Sequence, residues 1–335
     1  MKIIDKINSN KTCYSIEFFP PKTDDALASL DRSLLNFYSL DYKPMFIDLT
    51  WGAGGSTSEK TLELSKKWTK IPGVDVNMHI TCTNMSIEKL DTSINQAAEA
   101  GLENLVLLRG DPPAINGIEE WKAVNGGFTC ALDLVTYVRQ KWGDRFCISV
   151  AGYPEGHVDQ IENISKHDVN DIMLSSSEKR RISVNPDTGD LSVCRDAKYW
   201  ADIRYLKRKV EAGADLIITQ LFFDVDIFLQ FVQDCRSEGI LCPILPGIML
   251  IQNVAGFKRM TTMCKTKIPD DIWKRINQID AMPEEEAKEA VLVYGEELAK
   301  DMCQKLYEGG VRFFHLYTLN RERVAKRVIK FISER

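Results

Sequence analysis

Residues Val210 to Gln220 read VEAGADLIITQ, and this one stretch holds the features that decide the fold. Gly213 follows a stretch of helical period and can adopt the left-handed backbone conformation that ends many helices. The apolar run Leu216–Thr219 comes next and is typical of a buried strand, which Gln220 then closes with a polar side chain. The same order of helix, glycine and strand recurs at three further glycines: Gly101, Gly239 and Gly310. Such repetition predicts βα units and a mostly parallel sheet.

Eight apolar runs of this kind occur along the chain. They are Tyr14–Phe18, Met45–Leu49, Val76–Ile80, Asn104–Leu108, Cys147–Val150, Leu216–Thr219, Ile244–Gly247 and Phe313–Leu316. The segments between them have helical period, most clearly at residues 86–100, 199–212 and 284–307. Eight parallel strands with intervening helices predict a (β/α)8 TIM barrel. A doubly wound open sheet is the alternative, and periodicity alone does not exclude it.

Polar residues stand at the end of nearly every predicted strand, where a buried strand has no packing reason for them. They are Glu17, Asp48, Thr50, His79, Thr81, Arg109, Asp111, Tyr153, Gln220, Tyr317 and Arg321. In a (β/α)8 barrel these positions converge on one rim, where the active sites of barrel enzymes lie. An open sheet would collect only some of them in its crevice. The pattern therefore favours a barrel enzyme.

Composition excludes several classes of protein. Forty-three basic and 48 acidic residues give a formal net charge of -5, without a long block of either sign, which argues against a nucleic-acid-binding groove. The nine cysteines are scattered and form no Cys-x-x-Cys pair, so we expect reduced thiols, no disulfide framework and no metal site. Asp5 and Lys6 interrupt the apolar residues of the amino terminus, and no long uncharged apolar run follows. We therefore expect a cytoplasmic protein without a membrane span.

The length of 335 residues is compatible with one catalytic barrel over residues 1–335, because barrels with insertions reach this size. Residues 159–197 break the βα rhythm. They are polar, and Asn185-Pro186 and Thr188-Gly189-Asp190 mark turns. We interpret this segment as an insertion after the fifth strand that carries a short helix or hairpin.

Glu17 lies in the stretch SIEFFPP, residues 15–21, between aromatic residues and two prolines. An apolar surrounding disfavours the charged form of a carboxyl group, as a general acid requires. A salt-bridged structural carboxylate is the alternative. His79, on a predicted buried strand, is equally compatible with a ligand contact and with a hydrogen-bonded core position.

Two further groups suggest ligand contacts. Arg109 and Asp111 flank a glycine that lets the backbone approach a ligand, and their side chains suit either a polar heterocycle or an internal ion pair. Asp202, Arg208 and Lys209 fall within two turns of one predicted helix. Cations there can hold a pyrophosphate, although a solvated helix face is the commoner explanation of such a run.

Taken in order, nine stretches resemble the methylenetetrahydrofolate reductase family from about Cys13 to Arg323. They are SIEFFPPK, DLTWGAGG, HITC, LRGDPP, VAGYPEGH, LKRKVEAGAD, ITQLFFD, PGI and HLYTLNR. The resemblance implies a (β/α)8 barrel with FAD at its carboxyl rim. It also implies NAD(P)H-dependent reduction of 5,10-methylenetetrahydrofolate to 5-methyltetrahydrofolate by a ping-pong mechanism. The chain departs from the family pattern after His157, where Val158 and Asp159 replace the usual proline.

The resemblance also implies roles for individual residues. Glu17 and Asp111 would be catalytic, with Glu17 as the acid for opening of the folate's five-membered ring. Residues implied to bind FAD are Thr50, Trp51, Ala53, His79, Arg109, Gly110, Asp111, Ala131, Tyr153, His157, Asp202, Arg208 and Lys209. Residues implied to bind the substrates are Glu17, Asp111, Gln220 and Arg321.

Two alternatives remain open at this point. One is another FAD-dependent barrel oxidoreductase, similar to proline dehydrogenase, and the other is a non-catalytic folate- or flavin-binding relative. The resemblance implies small-molecule partners and a homo-oligomer, and it leaves the choice between NADH and NADPH open.

Overall fold

The computed structural model describes residues 1–7, 11–21, 23–51, 58–111, 123–167, 173–185 and 188–335. Its strands are β1 (Cys13–Phe18), β2 (Ile47–Leu49), β3 (Val76–Thr81), β4 (Asn104–Leu108), β5 (Cys147–Gly152), β6 (Ile161–Ile164), β7 (Ser183–Val184), β8 (Leu191–Cys194), β9 (Leu216–Leu221), β10 (Ile244–Met249) and β11 (Phe313–Tyr317). Eight of them close into a parallel barrel in the order β1-β11-β10-β9-β5-β4-β3-β2. This confirms the predicted (β/α)8 barrel and its eight strands, and it excludes the doubly wound sheet.

Helices separate the barrel strands. They are α1 (Ile3–Ile7), α2 (Asp24–Tyr38), α3 (Ser58–Trp68), α4 (Ile87–Glu99), α5 (Ala131–Trp142), α6 (Ser176–Arg180), α7 (Asp196–Glu211), α8 (Val225–Ser237), α9 (Val254–Cys264), α10 (Asp270–Asp280), α11 (Glu284–Glu308) and α12 (Arg323–Ser333). The four glycines predicted to end helices all have positive φ, from 85° at Gly101 and Gly239 to 116° at Gly213. None of the described helices is long and apolar enough to cross a membrane.

The two faces of each barrel strand differ in character because successive side chains point to opposite sides. The outward side chains, such as Ile16 and Ile217, pack under the helices in one large apolar core. At the amino-terminal end, a smaller apolar cluster that includes Phe46 and Phe313 fills the interior. Helix α1 closes this end with the fully buried Ile3. Asn104 is a buried polar side chain at this end, where its Oδ1 accepts the N–H of Ile3 at 2.8 Å.

The segment between β5 and α7 carries its own secondary structure. Strands β6, β8 and β7 form an antiparallel sheet in that order, and α6 begins with a capping box in which Ser175 and Glu178 exchange hydrogen bonds. Arg181 ties the segment to the start of α7 through a 2.5 Å ion pair with Asp196. The described part of the predicted insertion therefore contains both a short helix and a hairpin. All nine cysteines of the chain are free thiols.

Candidate active site

A carboxylate–imidazole cluster, formed by Glu17, Asp48, His79 and His315, lies inside the barrel. Glu17 of β1 is in register with Asp48 of β2, so their side chains point inward side by side. Nε2 of His79 lies 3.1 Å from Oδ2 of Asp48, a hydrogen-bonding distance, and 3.7 Å from Oε2 of Glu17. Nε2 of His315 lies 3.9 Å from each of these oxygens. Two acids and two imidazoles therefore share one buried volume.

The charge state of this carboxylate–imidazole cluster depends on His79. Burial alone would lower the pKa of His79, but the hydrogen bond and charge of Asp48, together with the charge of Glu17, raise it above the usual value. Donor atoms of Glu17, Asp48 and His79 lie within 4.8 Å of one another, a spacing at which a cation can also bind. The closest contact in the cluster is the hydrogen bond between His79 and Asp48.

The surroundings of Glu17 differ from the expected apolar frame. Phe18 points outward and packs against Phe37 and Trp68, with ring centroids 6.1 and 5.7 Å away. Phe19 is 37% exposed. Phe18 points to the opposite face of the strand and Phe19 lies beyond the end of β1 and is exposed, so these two rings do not enclose the carboxyl group. Its environment consists of polar groups supplied by the neighbouring strands.

His315 was not predicted as a site residue, although β11 carries it on the same face as Tyr317. The Tyr317 ring meets the His315 ring edge to face at 4.9 Å, and its hydroxyl donates to the carbonyl oxygen of Thr219 at 2.7 Å. Gly247 leaves room for the Tyr317 ring in this position, since a Cβ at residue 247 would lie 2.5 Å from the ring. The sequence could have indicated His315, because it is two residues before Tyr317 and alternate residues of a strand lie on the same face.

A cavity of about 320 Å³, separate from the residues of the cluster, opens at the carboxyl rim between β4, β5 and α7. We call it the rim cavity. Six of the predicted FAD-binding residues line it: Arg109, Ala131, Tyr153, His157, Asp202 and Lys209. A cavity of about 450 Å³ lies at the opposite end of the barrel, between α8 and the starts of β10 and β11. It contains none of the polar residues at the strand ends, so its greater size does not make it the better candidate.

Lys209 is the buried cation of the rim cavity, with 4% of the residue exposed. Its Nζ donates to the carbonyl oxygen of Ala151 at 2.8 Å and lies 5.3 Å from the centre of the Tyr205 ring. Burial lowers the pKa of Lys209 to about 8, although the charge of Asp202 opposes this shift. A lysine of this kind gains an anionic ligand readily because its charge is poorly solvated.

The inserted segment also contributes to the rim cavity. Nη2 of Arg109 lies 2.8 Å from Oδ2 of Asp159, and the backbone N–H of His157 donates to Oδ2 of Asp202 at 2.9 Å. Burial lowers the pKa of His157 despite the opposing charge of Asp159. Asp159 was not predicted as a site residue, because its partner is distant in sequence.

Not all predicted residues lie together. Arg208 lies on an exposed face of α7, and Asp111 and Arg321 are also exposed. Gln220 is partly buried at the end of β9, where its Oε1 accepts the N–H of Leu221 at 2.9 Å. Ala53 lies outside the described residues.

Thr50 and Trp51 are buried beyond the end of β2. Within the described residues, Oγ1 of Thr50 and Nε1 of Trp51 have no hydrogen-bond partner. Gly110 has a φ of 86°, and a Cβ there would lie 2.6 Å from Oγ1 of Thr83. The ends of β2 and β4 therefore offer unpaired polar side-chain atoms and a glycine without a side chain. A polar ligand can form hydrogen bonds with such atoms and approach the backbone closely at the glycine.

A solved structure of an uncharacterized Clostridium thermocellum protein that binds two copies of 5-methyl-5,6,7,8-tetrahydrofolic acid has a similar fold. Its TM-score is 0.58 over 98% of this chain and 96% of that chain, at 10% sequence identity. At this identity the likeness supports the barrel fold alone.

Sequence comparison is more specific. Methylenetetrahydrofolate reductase (NADH) 1 of Arabidopsis thaliana is 45% identical over 97% of this chain, and the Zea mays protein of the same name is 44% identical over 97%. The alignments cover 50% and 49% of these plant relatives, so the chain spans about half their length. The family model described as methylenetetrahydrofolate reductase matches residues 2–333. Because this match includes every strand of the barrel and both parts of the site, the chain belongs to the methylenetetrahydrofolate reductase family.

Proposed function

We propose that this protein reduces 5,10-methylenetetrahydrofolate to 5-methyltetrahydrofolate, with FAD as cofactor and NADH or NADPH as electron donor. The observation that carries the proposal is the combination of a buried acid inside the barrel, Glu17, with a rim cavity lined by the cations Arg109 and Lys209, in a chain of this family. We also propose that residues 1–335 act as one catalytic barrel, with 159–197 as an inserted segment. A cytoplasmic location and a homo-oligomeric state remain predictions.

The rim cavity suits FAD by its donor chemistry. Arg109 and Lys209 would hold the pyrophosphate, for which guanidinium and ammonium groups are the usual protein partners. Ala131 lies at the first turn of α5, where the positive end of the helix dipole favours anions; the N–H of Leu132 there already donates to the Tyr205 hydroxyl at 3.2 Å. The unpartnered Thr50 Oγ1 and Trp51 Nε1 of the described chain would meet polar atoms of the cofactor. Bound FAD would supply the hydride chemistry, accepting a hydride from the nicotinamide nucleotide and passing it to the folate carbon.

Glu17 would supply the proton that this reduction needs. Opening of the five-membered folate ring requires a proton on the departing nitrogen, and a buried carboxyl group at the rim can deliver it. His79 and Asp48 would carry the charges closest to Glu17. They form a hydrogen-bonded pair, with Nε2 of His79 3.1 Å from Oδ2 of Asp48. We assign Asp111 and Gln220 to the pterin and Arg321 to the folate tail.

The test is spectroscopic and separates the two halves of the reaction. The purified protein should be yellow, should lose its colour anaerobically with NADH or NADPH, and should regain it with 5,10-methylenetetrahydrofolate. Glu17→Gln should keep flavin reduction within about twofold and slow the folate step by about a hundredfold or more, the usual contribution of a general acid. The rates of flavin reduction by NADH and NADPH, compared at equal concentrations, identify the donor.

Each contrary outcome has a clear meaning. A protein that binds no flavin would refute the proposal outright. Flavin that is reduced but not reoxidised by the folate would indicate a different FAD-dependent barrel oxidoreductase. Bound flavin that neither nucleotide reduces would indicate a non-catalytic binding protein.

A further inference from the structure

His315 is a fully buried imidazole directly behind the proposed acid. Its residue exposure is 0%, and its ring stacks on Phe46 with a centroid distance of 6.4 Å. Nδ1 forms a 2.7 Å hydrogen bond with Oγ of Ser15. Nε2 has no hydrogen-bond partner among the described residues, and it faces Glu17 and Asp48. A buried ring nitrogen in this position calls for an explanation, because leaving such a group unpaired is costly.

The chemistry of the neighbours decides which ring nitrogen carries the proton. An ionised carboxylate only accepts hydrogen bonds, whereas a serine hydroxyl can donate or accept. The favourable arrangement places the proton on Nε2, toward the two acids, and lets the Ser15 hydroxyl donate to Nδ1. The other titratable groups that face this ring are His79 from β3 and Tyr317 from β11. The Tyr317 hydroxyl is already committed to the Thr219 carbonyl oxygen.

Asp48 already has a donor in His79, whereas Glu17 has no comparably close donor among the charged side chains of the cluster. As Glu17 gives up a proton, negative charge develops on its carboxyl group. The Nε2–H of His315 lies 3.9 Å from that oxygen, and a shift of less than 1 Å would make a charge-assisted hydrogen bond. Catalytic hydrogen bonds are often long in the absence of substrate and shorten in the reacting complex.

We propose that His315 is a positioning residue whose Nε2–H stabilises the Glu17 carboxylate left after proton delivery, while the Ser15 hydroxyl donates to Nδ1 of the same tautomer. This proposal rests on the proposed function, because it assumes Glu17 to be the acid of the folate step. It predicts an effect on that step alone, since flavin reduction by the nucleotide needs no proton from Glu17.

The kinetic test uses the flavin-loaded enzyme and rapid mixing. His315→Leu removes the donor, and the folate step should slow by about tenfold to a hundredfold, the usual effect of losing a hydrogen bond to a charged group. His315→Gln keeps an N–H near the position of Nε2 and should recover part of the rate. Ser149→Ala is the matched control, since Ser149 is buried on the same inner face and bonds only to Asn77 in the described chain.

A second readout does not depend on turnover. The chain has four histidines, at positions 79, 157, 167 and 315, so nitrogen NMR of histidine-labelled protein can resolve each ring. His315 should show protonated Nε2 and unprotonated Nδ1, and Glu17→Gln should shift its signals while Ser149→Ala does not. Protonated Nδ1 with bare Nε2, or signals insensitive to Glu17→Gln, would overturn the proposal. This measurement decides the matter even where His315→Leu fails to fold.

The two proposals fail in different ways. Full folate reactivity of Glu17→Gln would remove the acid role and the inference about His315 with it. If the folate step is slow in Glu17→Gln but has the wild-type rate in His315→Leu, only the inference about His315 is refuted. Equal slowing of both half-reactions in His315→Leu, without recovery in His315→Gln, would assign His315 a purely structural role.

Discussion

FAD binding should weaken as the pH rises from 7 to 9, because Lys209 loses its proton in this range. Burial lowers the pKa of this lysine to about 8, and the side chain lies in the rim cavity where the pyrophosphate is proposed to bind. The charged form attracts the anion and the neutral form does not. About nine-tenths of the lysine is protonated at pH 7 and about one-tenth at pH 9. The affinity should therefore fall about tenfold, equivalent to about 1.4 kcal/mol.

The lowered pKa of Lys209 also makes the stability of the protein without FAD depend on pH, but here a higher pH is favourable. The pKa of Lys209 is 10.5 in the unfolded chain and about 8 in the folded one, so the unfolded state binds more protons between these values. The free energy of unfolding therefore rises as the pH increases through this window. At pH 7 the buried charge costs the folded state about 3 kcal/mol. Lys209→Met should regain part of this stability while it weakens FAD binding.

Fluorescence titration of FAD from pH 6.5 to 9.5, together with urea unfolding of the protein without FAD, measures both effects. Lys209→Met should bind FAD weakly at every pH, without the decline seen in the wild type. Lys207→Met is the control for loss of a cation on the same helix, because Lys207 pairs only loosely with Glu211 at 4.0 Å. If Lys209→Met keeps the wild-type pH dependence, another group titrates and the assignment of Lys209 is refuted.

Three further predictions concern the same end of the barrel. Asp159→Asn should tighten FAD binding about two- to fivefold in fluorescence titrations, because Arg109 loses a half-exposed acidic partner that competes with the pyrophosphate. Gly247→Ala should cost about 1–3 kcal/mol in urea unfolding, since its Cβ would lie 2.5 Å from the Tyr317 ring; an unchanged midpoint would contradict this. Burial raises the pKa of Glu155 to about 8, so its contribution to stability is lost as the pH rises toward that value. Glu155→Gln should flatten the decline in unfolding free energy between pH 5 and pH 8.

Local signals were sufficient to predict the barrel. A helix stop at glycine depends only on the backbone freedom of that residue, and Gly213 has the positive φ that the pattern requires. Strand periodicity is equally local, which is why all eight strands were predicted within a few residues. The polar strand ends added the one long-range inference, that eight strands share a rim.

The helical phase of α7 explains one difference between the predicted and the observed site. Asp202 and Lys209 are seven residues apart, about two turns, and both line the rim cavity. Arg208 is one residue earlier, about 100° around the helix, and is exposed. A family resemblance compares positions in a sequence and does not test this angle. The role of Arg208 in FAD binding therefore stays a prediction with less structural support than that of Lys209.

The environment of Glu17 could not be predicted from its own sequence neighbours, because strand pairing determines it. Ring closure places β11 beside β1, which brings His315 from the far end of the chain to within 3.9 Å of the carboxyl group. The pattern of residues 15–21 gives no information about the contact between Glu17 and His315. The apolar frame inferred from Phe18 and Phe19 failed because it treated adjacency in sequence as adjacency in space. The groups around this barrel acid come from other strands, Asp48 from β2, His79 from β3 and His315 from β11, and they are predictable only once the strand order is known.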